Sequence, residues 1–105
     1  MAELDNTIHQ SVRLQIMSSL VALYAGEEIE FVYLRKLLNL TDGNLGAHLA
    51  KLEEAGYVKV KKTFVARKPR TFITATGKGR DAFEEHISAL KQIIGAQQKT
   101  NLKGK

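Results

Sequence analysis

The chain has 105 residues, 44% hydrophobic and 26% charged, which makes one soluble globular domain and leaves no room for a second core. A net charge of +5 favours a polyanionic partner, and the lack of cysteine excludes a disulfide framework, a thiolate metal site and a cysteine nucleophile. No apolar run is long enough to span a membrane, and Met1-Ala2-Glu3-Leu4-Asp5 lacks the basic start of a signal peptide, so a soluble protein of the reducing cytoplasm is expected.

Residues 5–24 carry a helical stripe of Ile8, Val12, Ile16, Leu20 and Leu23, widened by Met17, Val21 and Tyr24. Asp5 or Asn6 can cap it, and Gly26 stops it. Apolar surface this broad must be buried on two sides, within the domain or against a second chain. Arg13 projects from the polar side and reads as a solvated charge. Glu27-Glu28-Ile29-Glu30-Phe31 alternates as a small edge strand or an extended lead-in. A second helix, 31–38, turns Leu34, Leu37 and Leu38 inward, and Asn39-Leu40 makes a tight connection to a third.

The third helix is the most informative stretch. Thr41 can cap it and Asp42 sets a negative charge in its first turn, where the helix dipole favours one. Leu45, Leu49 and Leu52 form one apolar stripe, and Gly56 follows as a left-handed cap residue would. The opposite face holds Asp42, Gly43, Asn44, Gly46, Ala47, His48 and Lys51, nearly all short or polar. Such a face is either ordinary solvated surface or one that sits deep in a groove, with Asn44, His48 and Lys51 reaching base edges or phosphates. Two short helices joined by a tight turn, the second with a small polar outer face, make a helix-turn-helix.

Residues 57–64 alternate Val58 and Val60 with Lys59 and Lys61, the mark of a strand with one basic, solvated face. Residues 65–70 read as a loop broken by Pro69, the one proline, and 71–75 return as a second strand. The arms and tip of this hairpin carry Lys59, Lys61, Lys62, Arg67, Lys68 and Arg70, with no acidic residue from Tyr57 to Arg80. Lysines on the arms could serve only to keep an edge strand from pairing with other chains. The cluster at the tip goes beyond that need and points to nucleic-acid phosphate.

The last element opens at Thr76-Gly77-Lys78-Gly79, whose glycines do not have the spacing of a phosphate loop. Thr76 is the expected cap of a helix over 78–97. Phe83, Ile87, Leu90 and Ile94 form one seam of coiled-coil type, beside a second row of Ala82, His86, Ala89 and Ile93. One row can pack on its own domain while the other meets a partner, so the helices at 5–25 and 78–97 are expected to build a homodimer, with Ile8, Val12, Phe83, Ile87, Leu90 and Ile94 at its interface. The ordered domain should span 1–97, with 98–105 a flexible basic tail.

The order of elements, together with the runs 9–17 (HQSVRLQIM), 40–58 (LTDGNLGAHLAKLEEAGYV) and 67–71 (RKPRT), resembles the small stand-alone winged helix-turn-helix transcriptional regulators of the MarR/ArsR type. The resemblance covers residues 7–94 and implies an α+β, mainly helical fold with a two-stranded basic wing and long terminal helices forming a dimer interface. It implies a homodimer on double-stranded DNA. The recognition helix would present Thr41, Asp42, Gly43, Asn44, Ala47, His48 and Lys51 to the major groove, and the wing would bring Lys62, Arg67, Lys68 and Arg70 to the minor groove or backbone. The chain lacks the cysteine pairs of ArsR-type metal sensors and the longer terminal helices that frame a small-molecule pocket in larger MarR proteins. No cofactor or metal is expected, and a small-molecule effector has no support in the sequence.

Other classes fit less well. His9, His48 and His86 fall on separate elements without metal-ligand spacing, and the acidic pairs Glu27-Glu28, Glu53-Glu54 and Glu84-Glu85 project to different faces, so an enzyme is not expected. His86 reads as a helix-face residue at the dimer seam. The alternative of an RNA- or ribosome-binding winged helix has few exposed aromatics to support it, Tyr33 and Phe64 being the only candidates for base stacking.

Overall fold

A computed structural model describes residues 2–103 of the backbone and the side chains of 2–96. Four helices and three strands follow in the order α1 (Ser11–Val21), β1 (Ile29–Glu30), α2 (Phe31–Leu37), α3 (Asp42–Glu54), β2 (Val58–Val65), β3 (Lys68–Ala75) and α4 (Gly77–Lys103). The strands form one antiparallel sheet in the order β1-β3-β2, so β1 is the edge strand expected and the β2–β3 hairpin is the wing. The expected α+β, mainly helical winged helix-turn-helix is the fold observed.

Helix α1 is shorter than its apolar stripe suggests, because long-range partners claim both ends. The Asp5 carboxylate caps a separate turn, accepting from the Thr7 and Ile8 amides at 2.9 and 3.0 Å, and it also accepts the Tyr57 hydroxyl proton. The helix starts later, with Gln10 as its cap accepting from the Arg13 amide at 2.9 Å. At the other end the Arg80 guanidinium, from α4, donates to the carbonyls of Val21, Leu23 and Tyr24 at 3.3, 2.9 and 3.2 Å. These are carbonyls that a continuing helix would have satisfied itself.

The helix pair α2–α3 is set by local signals. Asn39, at φ 54°, ends α2 in a Schellman arrangement, the Leu40 amide reaching the Arg35 carbonyl at 3.0 Å and the Asn39 amide that of Lys36. Thr41 caps α3 by accepting from the Asn44 amide at 3.1 Å, and Gly56, at φ 82°, closes it in the same way that Asn39 closes α2. Leu45, Leu49 and Leu52 enter the core with Leu34, Ile16, Met17, Leu20, Val58 and Ile73. Each such side chain contributes roughly 2 kcal/mol by leaving water. On α2 only Leu34 is fully buried. Leu37, expected inward, is half exposed, because a seven-residue helix turns too few residues toward the core.

The wing is longer than expected. Val65 pairs directly with Lys68, leaving Ala66 and Arg67 as a two-residue turn, both at positive φ (50° and 68°). Lys68, Pro69 and Arg70 therefore belong to β3 rather than to a loop. Residues flanking a two-residue turn form a hydrogen-bonded pair, so Phe64 and Pro69 opposite one another form the next, non-bonded pair. The proline nitrogen then faces away from β2, where β1, reaching only Phe72, does not extend.

Thr76 caps α4 as expected, accepting from the Gly79 amide at 2.9 Å while its hydroxyl donates to the Gly56 carbonyl at 2.6 Å. Gly79 is required here, since a Cβ on it would lie 2.1 Å from the Tyr57 carbonyl oxygen. The helix runs past 97 to Lys103, into the segment read from sequence as a tail; residues 104–105 and the side chains of 97–103 lie outside the described residues.

Candidate nucleic-acid interface

The outer face of α3 is held out by the burial of its leucine stripe. Thr41, Asp42, Gly43, Asn44, Ala47 and Lys51 are all exposed. A Cβ added at Gly43 or Gly46 would meet nothing within 4 Å, so nothing inside the protein requires glycine there. Each glycine in a helix costs about 1 kcal/mol relative to alanine. A low outer face maintained at that cost suits close approach of something outside the chain.

Two polar side chains expected to be available on this helix, Asp42 and His48, are engaged. Asp42 lies 2.9 Å from the Arg35 guanidinium of α2, a mostly exposed ion pair across the junction of the two helices. His48 is half-buried, and its Nδ1 accepts from Arg13 Nη1 at 3.2 Å. That contact needs a neutral ring with the proton on Nε2, and burial, aided by the Arg13 charge, holds the His48 pKa below its ordinary value. Arg13 is thus no solvated charge: its Nε also donates to the Thr7 carbonyl at 2.6 Å, tying the N-terminal turn to the recognition helix.

The wing stands beside α3 across an open groove of about 370 Å³, lined by Gly46, Ala50 and Glu53 on one side and Val60, Lys62 and Thr71 on the other. Beyond Lys59, which is exposed at the base of the hairpin, the wing's basic residues divide into two sets. Lys61 pairs with Glu28 at 3.1 Å and Arg70 with Glu30, so both tie the wing to the β1 region. Lys62, Arg67 and Lys68 are exposed and make no ion pair among the described residues, nor does Lys51 on α3. Arg67 occupies a left-handed position in the turn where glycine or asparagine is the usual residue, at a cost of about 1–2 kcal/mol. Ala66 shares the left-handed geometry, so the strain belongs to the two-residue turn, which displays the Arg67 cation at the wing's tip.

The residues expected at a dimer interface do not share one environment. Ile8 is fully buried in the protomer's own core, since the Asp5 turn folds it inward, and it has no surface to offer a partner. Val12 packs half-buried against the same core. On α4 the row of Ala82, His86 and Ala89 faces the domain, while Phe83, Ile87 and Leu90 are half-exposed and Ile93 and Ile94 exposed. A shallow groove of about 350 Å³ between Val21 and the Phe83–Ile87 side of α4 remains open.

His86, expected at the seam, is fully buried instead. Its Nδ1 accepts from the Asp5 amide at 3.0 Å, and Nε2 lies 3.5 Å from His9 Nδ1. Burial and the neighbouring His9 lower its pKa, with Asp5 opposing. The hydrogen bond that Tyr57 donates to Asp5, with burial and the Asp5 charge, pushes the phenol up to about 12. Tyr57 and Arg80 are structural residues that sequence reasoning missed, while Asp5, expected as the cap of the first helix, caps the separate turn before it. For Arg80 a signal existed: a cation in the first turn of a helix opposes that helix's own dipole, and here it serves the C-terminus of another. Among the described residues no three histidine, aspartate or glutamate side chains gather to hold a metal ion, and no helix is long and apolar enough to cross a membrane.

Residues 12–94 match the family model described as a winged helix DNA-binding domain. The chain is 48% identical over 82 residues to an uncharacterized protein of Methanocaldococcus jannaschii, covering 78% of this chain and 86% of that one. It is similar to the solved structure of a transcriptional regulator homologue from Pyrococcus horikoshii, with 33% identity, a TM-score of 0.80 and 89% of each chain covered. A MarR-family regulator from Enterococcus faecalis shares the fold at 22% identity and a TM-score of 0.68, over 92% of this chain and 84% of that one.

Proposed function

The chain belongs to the winged helix DNA-binding domain family, and from that premise we propose that it is a sequence-specific transcriptional regulator that occupies double-stranded DNA as a homodimer. The observation that carries this reading is the pairing of a glycine-flattened, exposed α3 face with a wing whose Lys62, Arg67 and Lys68 are exposed and make no ion pair among the described residues. Helix α3 enters the major groove with Asn44, Ala47 and Lys51 toward base edges and phosphates, and Thr41, Asp42 and Gly43 at the point of entry. His48 contributes through the Nε2–H that its bond to Arg13 leaves for donation. The wing follows the adjacent minor groove or backbone, with Lys62, Arg67 and Lys68 as the principal cations and Arg70 as a brace.

The partly open row of α4, half-exposed Phe83, Ile87 and Leu90 with exposed Ile94, supplies the two-fold interface with Val12 at its margin. Two recognition helices then reach successive major grooves about 34 Å apart on a pseudo-palindrome. Fluorescence-anisotropy titrations with duplex DNA, single-stranded RNA and duplex RNA at several salt concentrations test this, with sedimentation equilibrium for the dimer. Duplex DNA should bind tightest and lose affinity steeply with salt. A preference for either RNA would move the protein to a ribonucleoprotein role, and a monomer at micromolar concentration would remove the two-fold model.

A further inference from the structure

Phe64 is among the most exposed large apolar side chains of the described residues, at 74%. The sheet register places it directly opposite Pro69, next to the Ala66–Arg67 turn. In a non-hydrogen-bonded antiparallel pair the two side chains stand close together, so the phenyl and pyrrolidine rings form one apolar unit at the wing's end. Side chains alternate along a strand, so Phe64 shares its face with Val58, Val60 and Lys62. That is the face toward α3, since Val58 is buried and Val60 and Lys62 line the groove against Gly46 and Ala50. Phe64 lies one step farther out on the same face, past the cover of the helix.

Among the described residues nothing buries this ring. A scattered exposed hydrophobe needs no explanation, but this one shares its face with Pro69 and Lys62 and lies beside Arg67 in the turn, while Val65 and Lys68 project from the opposite face of the wing's end. Three uncompensated cations around an apolar tip complement a polyanion with an apolar interior, and the shared face with α3 selects duplex DNA. We propose that Phe64, backed by Pro69, is a wedge that the wing presses between base pairs from the minor groove, partly unstacking one step. The inference rests on the duplex-DNA reading above and adds to it a deformation of the DNA. Phenylalanine and proline are suited to such insertion, and the fixed proline ring keeps the support rigid. A wedge also confers selectivity without base contacts, by favouring easily unstacked pyrimidine–purine steps outside the segment read by α3.

The chain has no tryptophan, so Phe64→Trp provides a single emitter at the site. The substitution is tolerable because the position is exposed. Labelled duplex DNA reports binding by anisotropy in the same samples in which tryptophan emission and its quenching by acrylamide are read. Insertion should quench the emission and remove most of the acrylamide sensitivity at saturation. Phe64→Ala should bind duplex about tenfold more weakly, the effect of losing one aromatic–base stack, and Phe64→Leu should recover part of the loss. Saturated binding with unchanged emission and unchanged acrylamide access would overturn the wedge and leave the DNA reading standing, as would wild-type affinity in Phe64→Ala. Absence of duplex binding at every salt concentration would overturn both. A blue shift on vesicles of anionic phospholipid, with no response to duplex, would overturn the wedge in favour of a membrane contact.

Discussion

Replacing Lys62, Arg67 and Lys68 together by alanine should flatten the salt dependence of DNA binding far more than replacing Arg70. The three side chains are exposed and make no ion pair among the described residues, so each can release one condensed counterion on meeting a phosphate, whereas the charge of Arg70 is already compensated by Glu30. Each phosphate contact contributes about 0.9 to the slope of log affinity against log salt, so the triple change should lower it by about 2.7 per wing. Between 50 and 200 mM salt, that difference means a variant that loses roughly 40-fold less affinity per wing than the native protein. Arg70→Ala alone should change the slope by less than about 0.5. Anisotropy titrations on one duplex at four or five salt concentrations measure both slopes, with circular dichroism confirming an unchanged fold. If the triple variant keeps the native slope, the wing does not touch phosphate. If Arg70→Ala matches the triple variant, the division of the wing into bracing and contacting cations is wrong.

Arg67→Gly should raise stability by about 1 kcal/mol, by relieving the left-handed turn, while weakening DNA binding; a loss of stability would refute the strain argument. Asn44→Ala should leave overall affinity for random duplex nearly intact and reduce discrimination at one operator position by about 1–3 kcal/mol, read by competition with single-base variants. Gly79→Ala should destabilise by about 3 kcal/mol or more, because the new Cβ would overlap the Tyr57 carbonyl and the start of α4 must shift; an unchanged urea midpoint would contradict that contact. His48 and His86 both have folded pKa values below their unfolded one, so the unfolded chain binds more protons as acid is added. Their contribution to stability is complete above the ordinary histidine value and declines as pH falls through it. His86→Gln, whose side-chain carbonyl can accept from the Asp5 amide, should reduce the slope of stability against pH between about 7 and 5, and an unchanged slope would place the titration elsewhere.

Much of this architecture is legible in the residues because its signals are local. A Thr41 cap, leucines at 4- and 3-residue spacing and Gly56 at the exit define α3 within one stretch, and the structure has each of them where expected. Alternating valine and lysine define β2 in the same way. The turn of the wing is not legible in the residues, because Ala66 and Arg67 do not announce positive φ, while Pro69 suggests a loop that the pairing shows to be strand. The start of α1 is not legible either, because the carboxylate of Asp5 is bound by a hydroxyl 52 residues away.

The sequence by itself determined the elements, their order, the basic wing and the small outer face of α3, because caps, periodicity and glycine act over neighbouring residues. Tertiary structure alone decided which charges remain available to a partner. Glu28 and Glu30 lie far from Lys61 and Arg70 in the chain, and only the assembled β1-β3-β2 sheet brings them within ion-pair distance. It also decided that Ile8 and His86 are interior and that Phe83, Ile87 and Leu90 are the row of α4 left partly open. Periodicity marks an apolar stripe but carries no information on which surface meets it, and that assignment came from the turn capped by Asp5 and from the packing of α4 against α1.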